Sequence, residues 1–246
     1  MKETVLSEDR VDVYSPKQVF VCPEESQFYS QCLEKMLLNQ KAESESIVEF
    51  GSGDGSPVIS CLLKTPYQGS IKGFELSSKA CTVAQYHIQM FRLSNKYAIH
   101  NTCFFKNFPS HATCLIANPP YLPALDSDIY MPSLHGGSDG AAITKRLLSV
   151  GCDNALLMIS AYSNPVETIE YAQAEGYQVN DFMVSPLQFG YYSSEPKVRN
   201  RIAELRKAGK AFYSQNIYFL AGVMFGRRNR AKADLSNELI KVMTSL

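Results

Sequence analysis

Four consecutive residues, Asn118-Pro119-Pro120-Tyr121, carry the clearest chemistry in the sequence, and they follow the apolar run Leu115–Ala117. Proline lacks an N–H, so Pro119 and Pro120 cannot continue a β-ladder and must leave a sheet as a rigid, extended exit. That exit fixes the Asn118 side chain and the Pro119 carbonyl as two converging acceptors. Two acceptors aimed at one point suit an –NH2 group and hold its nitrogen in line with a methyl donor. The Tyr121 ring, with Pro120 beside it, can then stack on the flat group that carries the amine.

A second constellation lies upstream, in Glu49-Phe50-Gly51-Ser52-Gly53-Asp54-Gly55-Ser56. Glycines there let the backbone turn sharply and let a ligand approach with no Cβ in the way. Glu75 falls twenty residues after Gly55, the position from which a carboxylate takes both hydroxyls of a ribose. A dinucleotide loop wants a third glycine where Ser56 stands, and Glu49 is poorly suited to a pyrophosphate. A carboxylate near the loop suits a cation or an amino group. S-adenosylmethionine carries both a sulfonium and an α-ammonium, so it is the expected cofactor and NAD is disfavoured.

These residues need a scaffold that brings strand ends together. After a lead of about 45 residues, strand and helix patterns alternate, which predicts βαβ units and a parallel sheet. The expected strands are 46–50, 71–76, 98–105, 113–117, 155–160, 177–184 and 217–225. Between them, Ser56-Pro57 opens one helix, and Ala80, Val83, Ala84, Ile88 and Phe91 form the stripe of another. Asp139 can cap a helix that Gly151 stops. Asn164-Pro165-Val166-Glu167 reads as a capping box, with Gly176 as the later stop. The prediction is one doubly wound, Rossmann-like α/β domain over 46–230 with seven strands, the last antiparallel. Residues 1–45 form an N-terminal extension on the substrate side, and residues 231–246 a C-terminal tail.

Composition agrees with a globular chain. Of 246 residues, 45% are apolar and 20% charged, enough to bury a core and exclude global disorder. No run reaches the roughly 20 apolar residues of a membrane span, and the polar, acidic N-terminus carries no signal pattern. Seven scattered cysteines form no CxxC pair, which fits a reducing compartment and a cytoplasmic location. The four histidines show no metal or triad spacing, so no metal is expected. The net charge of zero hides an asymmetry: residues 1–54 hold five basic and eleven acidic residues, and residues 195–232 ten basic and two acidic. Lys197, Arg199, Arg201, Arg206, Lys207 and Lys210 are interleaved with Tyr191, Tyr192, Phe212 and Tyr213 in an insert at about 190–214. That composition would suit phosphate contact and base stacking, or simply a solvated face.

The order EFGSGDG, FEL, NPPY resembles the class I S-adenosylmethionine-dependent N-methyltransferases. More narrowly, Asn118–Gly140 (NPPYLPALDSDIYMPSLHGGSDG) looks like the HemK-type glutamine methyltransferases, in which NPPY is followed by a GGxDG element. Residues 20–26 (FVCPEES) are similar to their upstream substrate-side run. The resemblance implies that Gly51, Gly53 and Gly55 line the methionine and ribose of the cofactor. It places Glu49 near the amino-acid end and Glu75 on the ribose hydroxyls; with no Asp ending the third strand, contacts to the adenine must come from Thr102, Cys103 or backbone. Asn118 and Pro119 would hold the substrate nitrogen and Tyr121 would pack on its plane. The chain departs from the family where an Asp usually ends the third strand, where Thr113 replaces a common Asp, and in its short lead. The substrate is a protein glutamine or asparagine side chain, or an exocyclic amine of adenine or guanine in a nucleic acid. A small molecule and a non-catalytic cofactor-binding module stay open at this point.

Overall fold

Strand β1 (Ile47–Phe50) pairs in parallel with β2 (Ile71–Phe74) on one side and β4 (Cys114–Ala117) on the other. The computed structural model describes residues 20–39, 46–228 and 233–246. Beyond β2 lies β3 (Tyr97–His100); beyond β4 lie β5 (Asn154–Ser160), β7 (Ile217–Arg227) and β6 (Tyr177–Gln188). The sheet order is β3-β2-β1-β4-β5-β7-β6, and β7 runs antiparallel to both its neighbours. Connections run one way from β1 and the other way from β4. Those two strands therefore flank the switch point where a doubly wound sheet opens a crevice at its carboxyl edge.

Alternation along the strands builds two cores. Ile47, Ile71, Ile99, Ile116, Leu156 and Met158 face one side. Val48, Phe74, Leu115, Leu157, Val223 and Phe225 face the other, as the two-residue period requires. The first side is covered by α1 (Pro23–Leu33, continuing into a π-helical turn, Glu34–Leu38), α2 (Ser56–Lys64) and α3 (Ser78–Met90). Helix α1 lies so close to the sheet that a Cβ on Gly222 of β7 would collide with Cys32. The second side carries α4 (Phe104–Asn107, one turn), α5 (Ala142–Leu148), α6 (Pro165–Ala174) and α8 (Ser236–Met243). The basic insert forms α7 (Pro196–Lys207) between β6 and β7.

Several local expectations shift. The third strand ends at His100 instead of 105, because Asn107 donates to Thr102 Oγ1 and the Cys103 carbonyl and closes a helical turn. Phe104 buries there edge-on to Phe50 and Phe74. Phe91 sits past the end of α3 and is exposed, and Cys81 takes its share of the buried stripe. Asn164 caps α6 in a left-handed conformation, but its side chain turns aside to donate to Glu167 and Asp139. Residues 1–19 of the N-terminal extension lie outside the described residues. The segment set apart as a C-terminal tail contains α8, whose Leu239 and Met243 are fully buried against the second core. Among the described residues, no helix is long and apolar enough to cross a membrane.

Candidate active site

Register places the site. Phe74, Phe50 and Ala117 are paired across β2, β1 and β4, so Glu75, Gly51 and Asn118 leave the sheet side by side at its carboxyl edge. Gly51, Gly53 and Gly55 all adopt positive φ, at 67°, 56° and 74°. Their turn is held from the β2 side: Gly51 N–H and Ser52 N–H both donate to the Phe74 carbonyl, at 2.9 and 3.2 Å. The Glu75 carboxylate takes Gly53 N–H at 2.9 Å on one oxygen and Ser77 N–H at 2.7 Å on the other. Asn101 clamps the same corner by donating to the carbonyls of Glu75 and Leu76. Nothing lies within 4 Å of where a Cβ on Gly51 or Gly53 would stand, so the outer side of the turn is an open cradle.

Glu49 is placed differently from its neighbours. It is 2% exposed, beneath the turn, and its carboxylate accepts from the hydroxyls of Tyr97 and Tyr29. Burial pushes its carboxyl up to about 7, against the opposing pull of the Tyr97, Ser52 and Tyr29 hydroxyls. Its geometry is that of a support under the loop. Cys103 is half-buried and begins α4, just beyond the end of β3.

On the other side of Asn118 opens a cavity of about 530 Å³. Asn118, Pro119, Pro120 and Tyr121 form one wall, residues 20–25 at the start of α1 another, and Tyr162, Phe189 and Tyr218 the aromatic remainder. Tyr162 stacks on Phe189 with centroids 5.4 Å apart and meets Tyr218 edge-on at 4.7 Å. The Arg199 guanidinium lies 3.6 Å over the Phe189 ring and braces this wall from behind. Tyr121 is buried, edge-on to Tyr162, with its hydroxyl on the Glu25 carboxylate.

Glu25 is the residue that motif reading missed. It is buried, and it accepts from Tyr121 and from Tyr218, the latter at 3.2 Å. Burial pushes its carboxyl above the usual carboxylate range, opposed by those hydrogen bonds. The only signal in the sequence was its place in the FVCPEES run. Asn118 Oδ1, by contrast, is buried with no hydrogen-bond partner among the described residues, an unmet acceptor at the junction of turn and cavity.

The Gly136-Gly137-Ser138-Asp139-Gly140 segment explains its pairing with NPPY. Gly136 exchanges hydrogen bonds with its surroundings through Leu122 O and Ala142 N–H. A Cβ on Gly136 would stand 2.7 Å from Tyr121 Cα, and one on Gly140 would stand 2.5 Å from the Tyr121 carbonyl oxygen. The glycines let this segment press against the proline exit from behind.

Three of the six cations of the basic insert are paired with acids, mostly from outside it. Lys197 pairs with Asp126 and Asp128, Lys210 with Glu167 at 2.5 Å, and Arg201 with Glu204 and the Ser138 carbonyl. Arg199 and Arg206 lie over Tyr213. Tyr192 and Tyr213 are buried, and Tyr191 is exposed against Tyr130. Among the described residues, no cluster of three His, Cys, Asp or Glu could hold a metal.

No protein-family model and no curated protein sequence matches the chain. Solved structures do. A Pyrococcus horikoshii protein assigned as an RNA methyltransferase matches with a TM-score of 0.57 at 12% identity, covering 87% of this chain and 88% of its own. The ribosomal protein L11 methylase of Lactobacillus delbrueckii subsp. bulgaricus matches with 0.53 at 11%, covering 90% and 92%. M. jannaschii TYW2, in complex with AdoMet, matches with 0.50 at 14%, covering 88% and 78%. The chain has the Rossmann-like fold of the S-adenosylmethionine-dependent methyltransferases.

Proposed function

We propose that this protein is an S-adenosylmethionine-dependent N-methyltransferase acting on a planar nitrogen, with a protein glutamine or asparagine carboxamide as its substrate. The observation that carries the reading is the unmet, buried Oδ1 of Asn118, set between an open glycine cradle and a cavity. The cradle fits the donor: Gly51 and Gly53 offer free space and positive φ, Gly55 closes the turn, and Glu75 stands at the neighbouring strand end for the ribose hydroxyls. Cys103 borders the adenine side. Glu49 acts from below, by holding the turn that meets the methionine end.

The bound donor supplies an electrophilic methyl group. Asn118 Oδ1 and the Pro119 carbonyl accept the two N–H bonds of the substrate and orient its nitrogen toward the cradle. A carboxamide is a poor nucleophile because its lone pair is delocalised; hydrogen bonds from its N–H groups return electron density to nitrogen. Tyr121 and Pro120 pack beside the substrate plane. The nitrogen becomes acidic as it gains carbon and sheds its proton to water, without a strong base.

A second reading, an exocyclic amine of a nucleobase, is favoured by the aromatic walls of Tyr162, Phe189 and Tyr218, which suit a flat ring. The pairing of Lys197, Arg201 and Lys210 with acids leaves fewer of the insert's cations for phosphate contact. The test is incubation of a cell extract with the protein and a radiolabelled methyl donor, followed by separate digestion with protease and RNase. Label released by protease alone supports the first reading, and label released by RNase alone the second. An extract that takes no label counts against both.

A further inference from the structure

We infer that the cavity holds a positive charge of the substrate, a lysine or arginine side chain close in sequence to the methylated carboxamide, against Glu25 and the rings around it. This rests on the methyltransferase reading above and names the chemistry that flanks its target. At about 530 Å³ the cavity is of a size that encloses a whole small ligand, so a single carboxamide leaves room beside it. Its lining carries two charged side chains, Glu24 and Glu25, and both are acids. Among the described residues, no Lys, Arg or His lines it. The Arg199 guanidinium lies 3.6 Å over the Phe189 ring but stays outside the lining.

The surroundings of Glu25 are those that a cation seeks. Its carboxylate takes the hydroxyls of Tyr121 and Tyr218, and Tyr162 meets both of those rings edge-on, at 5.8 and 4.7 Å. Tyr162 also stacks on Phe189, and all four rings line the cavity. Aromatic faces attract a cation, and a desolvated carboxylate binds one through charge-assisted hydrogen bonds. Burial holds the Glu25 carboxyl above its ordinary range, and a cation beside it is what draws the negative charge back onto it. Glu24 is exposed as well as lining the cavity, so the same sign reaches solvent and steers a cation inward. A phosphate would meet two acids and no base here, so the lining disfavours a nucleic-acid strand.

The test offers the whole chain, loaded with S-adenosylhomocysteine, two probes: N-acetyl-argininamide and N-acetyl-citrullinamide. They share a shape and a carboxamide and differ in charge. By calorimetry the arginine probe is expected to bind about tenfold tighter or more. In Glu25→Gln, checked for folding by S-adenosylhomocysteine affinity, the two should bind nearly alike; the wild-type comparison stands whether or not that variant folds. Wild type is then given a radiolabelled methyl donor and nine-residue peptides with one central glutamine. Peptides with Lys or Arg beside the glutamine should take about tenfold more label than neutral ones, and acidic peptides the least. Equal binding of the two probes by the wild type, a preference that survives Glu25→Gln, or equal labelling of neutral and basic peptides overturns the inference. If no peptide takes label, the carboxamide reading fails, and the probe comparison alone then decides whether the cavity selects a cation.

Discussion

Gly136 lies so close to Tyr121 that a Cβ added to it would stand 2.7 Å from the tyrosine Cα and 2.7 Å from the Gly140 carbonyl oxygen. All the atoms in the way are backbone, so nothing flexible can yield. Gly136→Ala should push the proline exit off its line and lower methyl transfer about 100-fold, with S-adenosylhomocysteine affinity nearly intact. Kinetics beside a binding isotherm check this; equal losses in both would mean that the whole carboxyl edge had moved.

Replacing Asn118 by Ala separates binding from transfer. Its Oδ1 has no partner to lose, so the variant should fold normally and keep cofactor affinity. Methyl transfer should fall by roughly 100- to 1000-fold, since one of two acceptors holding the nitrogen is gone. Thermal shift with S-adenosylhomocysteine and single-turnover labelling measure the two effects. A variant that transfers as wild type does would remove Asn118 from the site.

The glycine turn and the proline exit were legible in the sequence because their residue types act locally. Glycine permits the positive φ seen at 51, 53 and 55, and proline ends a ladder wherever it stands. Glu25 was not legible as a partner, because its contact with Tyr121 spans 96 residues and leaves no periodic trace. The insert's charges read as a free basic surface for the same reason: Asp126 and Glu167, which occupy Lys197 and Lys210, lie far from them in the chain. The early end of β3 was hidden too. Phe104 and Phe105 have strand-like side chains, and the chain turns there through the Asn107 hydrogen bonds and the ring packing of Phe104 on Phe50 and Phe74.

Gly53→Ala addresses the cradle. At φ 56° an alanine is strained and should cost about 1 to 2 kcal/mol of stability. Its methyl group would meet no protein atom within 4 Å, so any larger effect must come from the ligand side. Affinity for S-adenosylmethionine is expected to fall about tenfold or more, measured by calorimetry, beyond the shift in unfolding midpoint. Unchanged affinity would place the ligand elsewhere.

Glu49 gives the protein a pH-dependent stability of defined sign. Its carboxyl lies at about 7 in the folded state against an ordinary 4.5, so the folded chain holds a proton that the unfolded chain has released. Stability from this group is complete below about 4.5 and is lost as pH rises to about 7, a change on the order of 3 kcal/mol. Glu49→Gln stays neutral throughout and should remove this share of the slope, leaving the variant relatively more stable above neutral pH. Denaturant unfolding of both proteins across that range decides it. Parallel curves would mean that Tyr29 and Tyr97 hold the carboxylate charged beneath the turn.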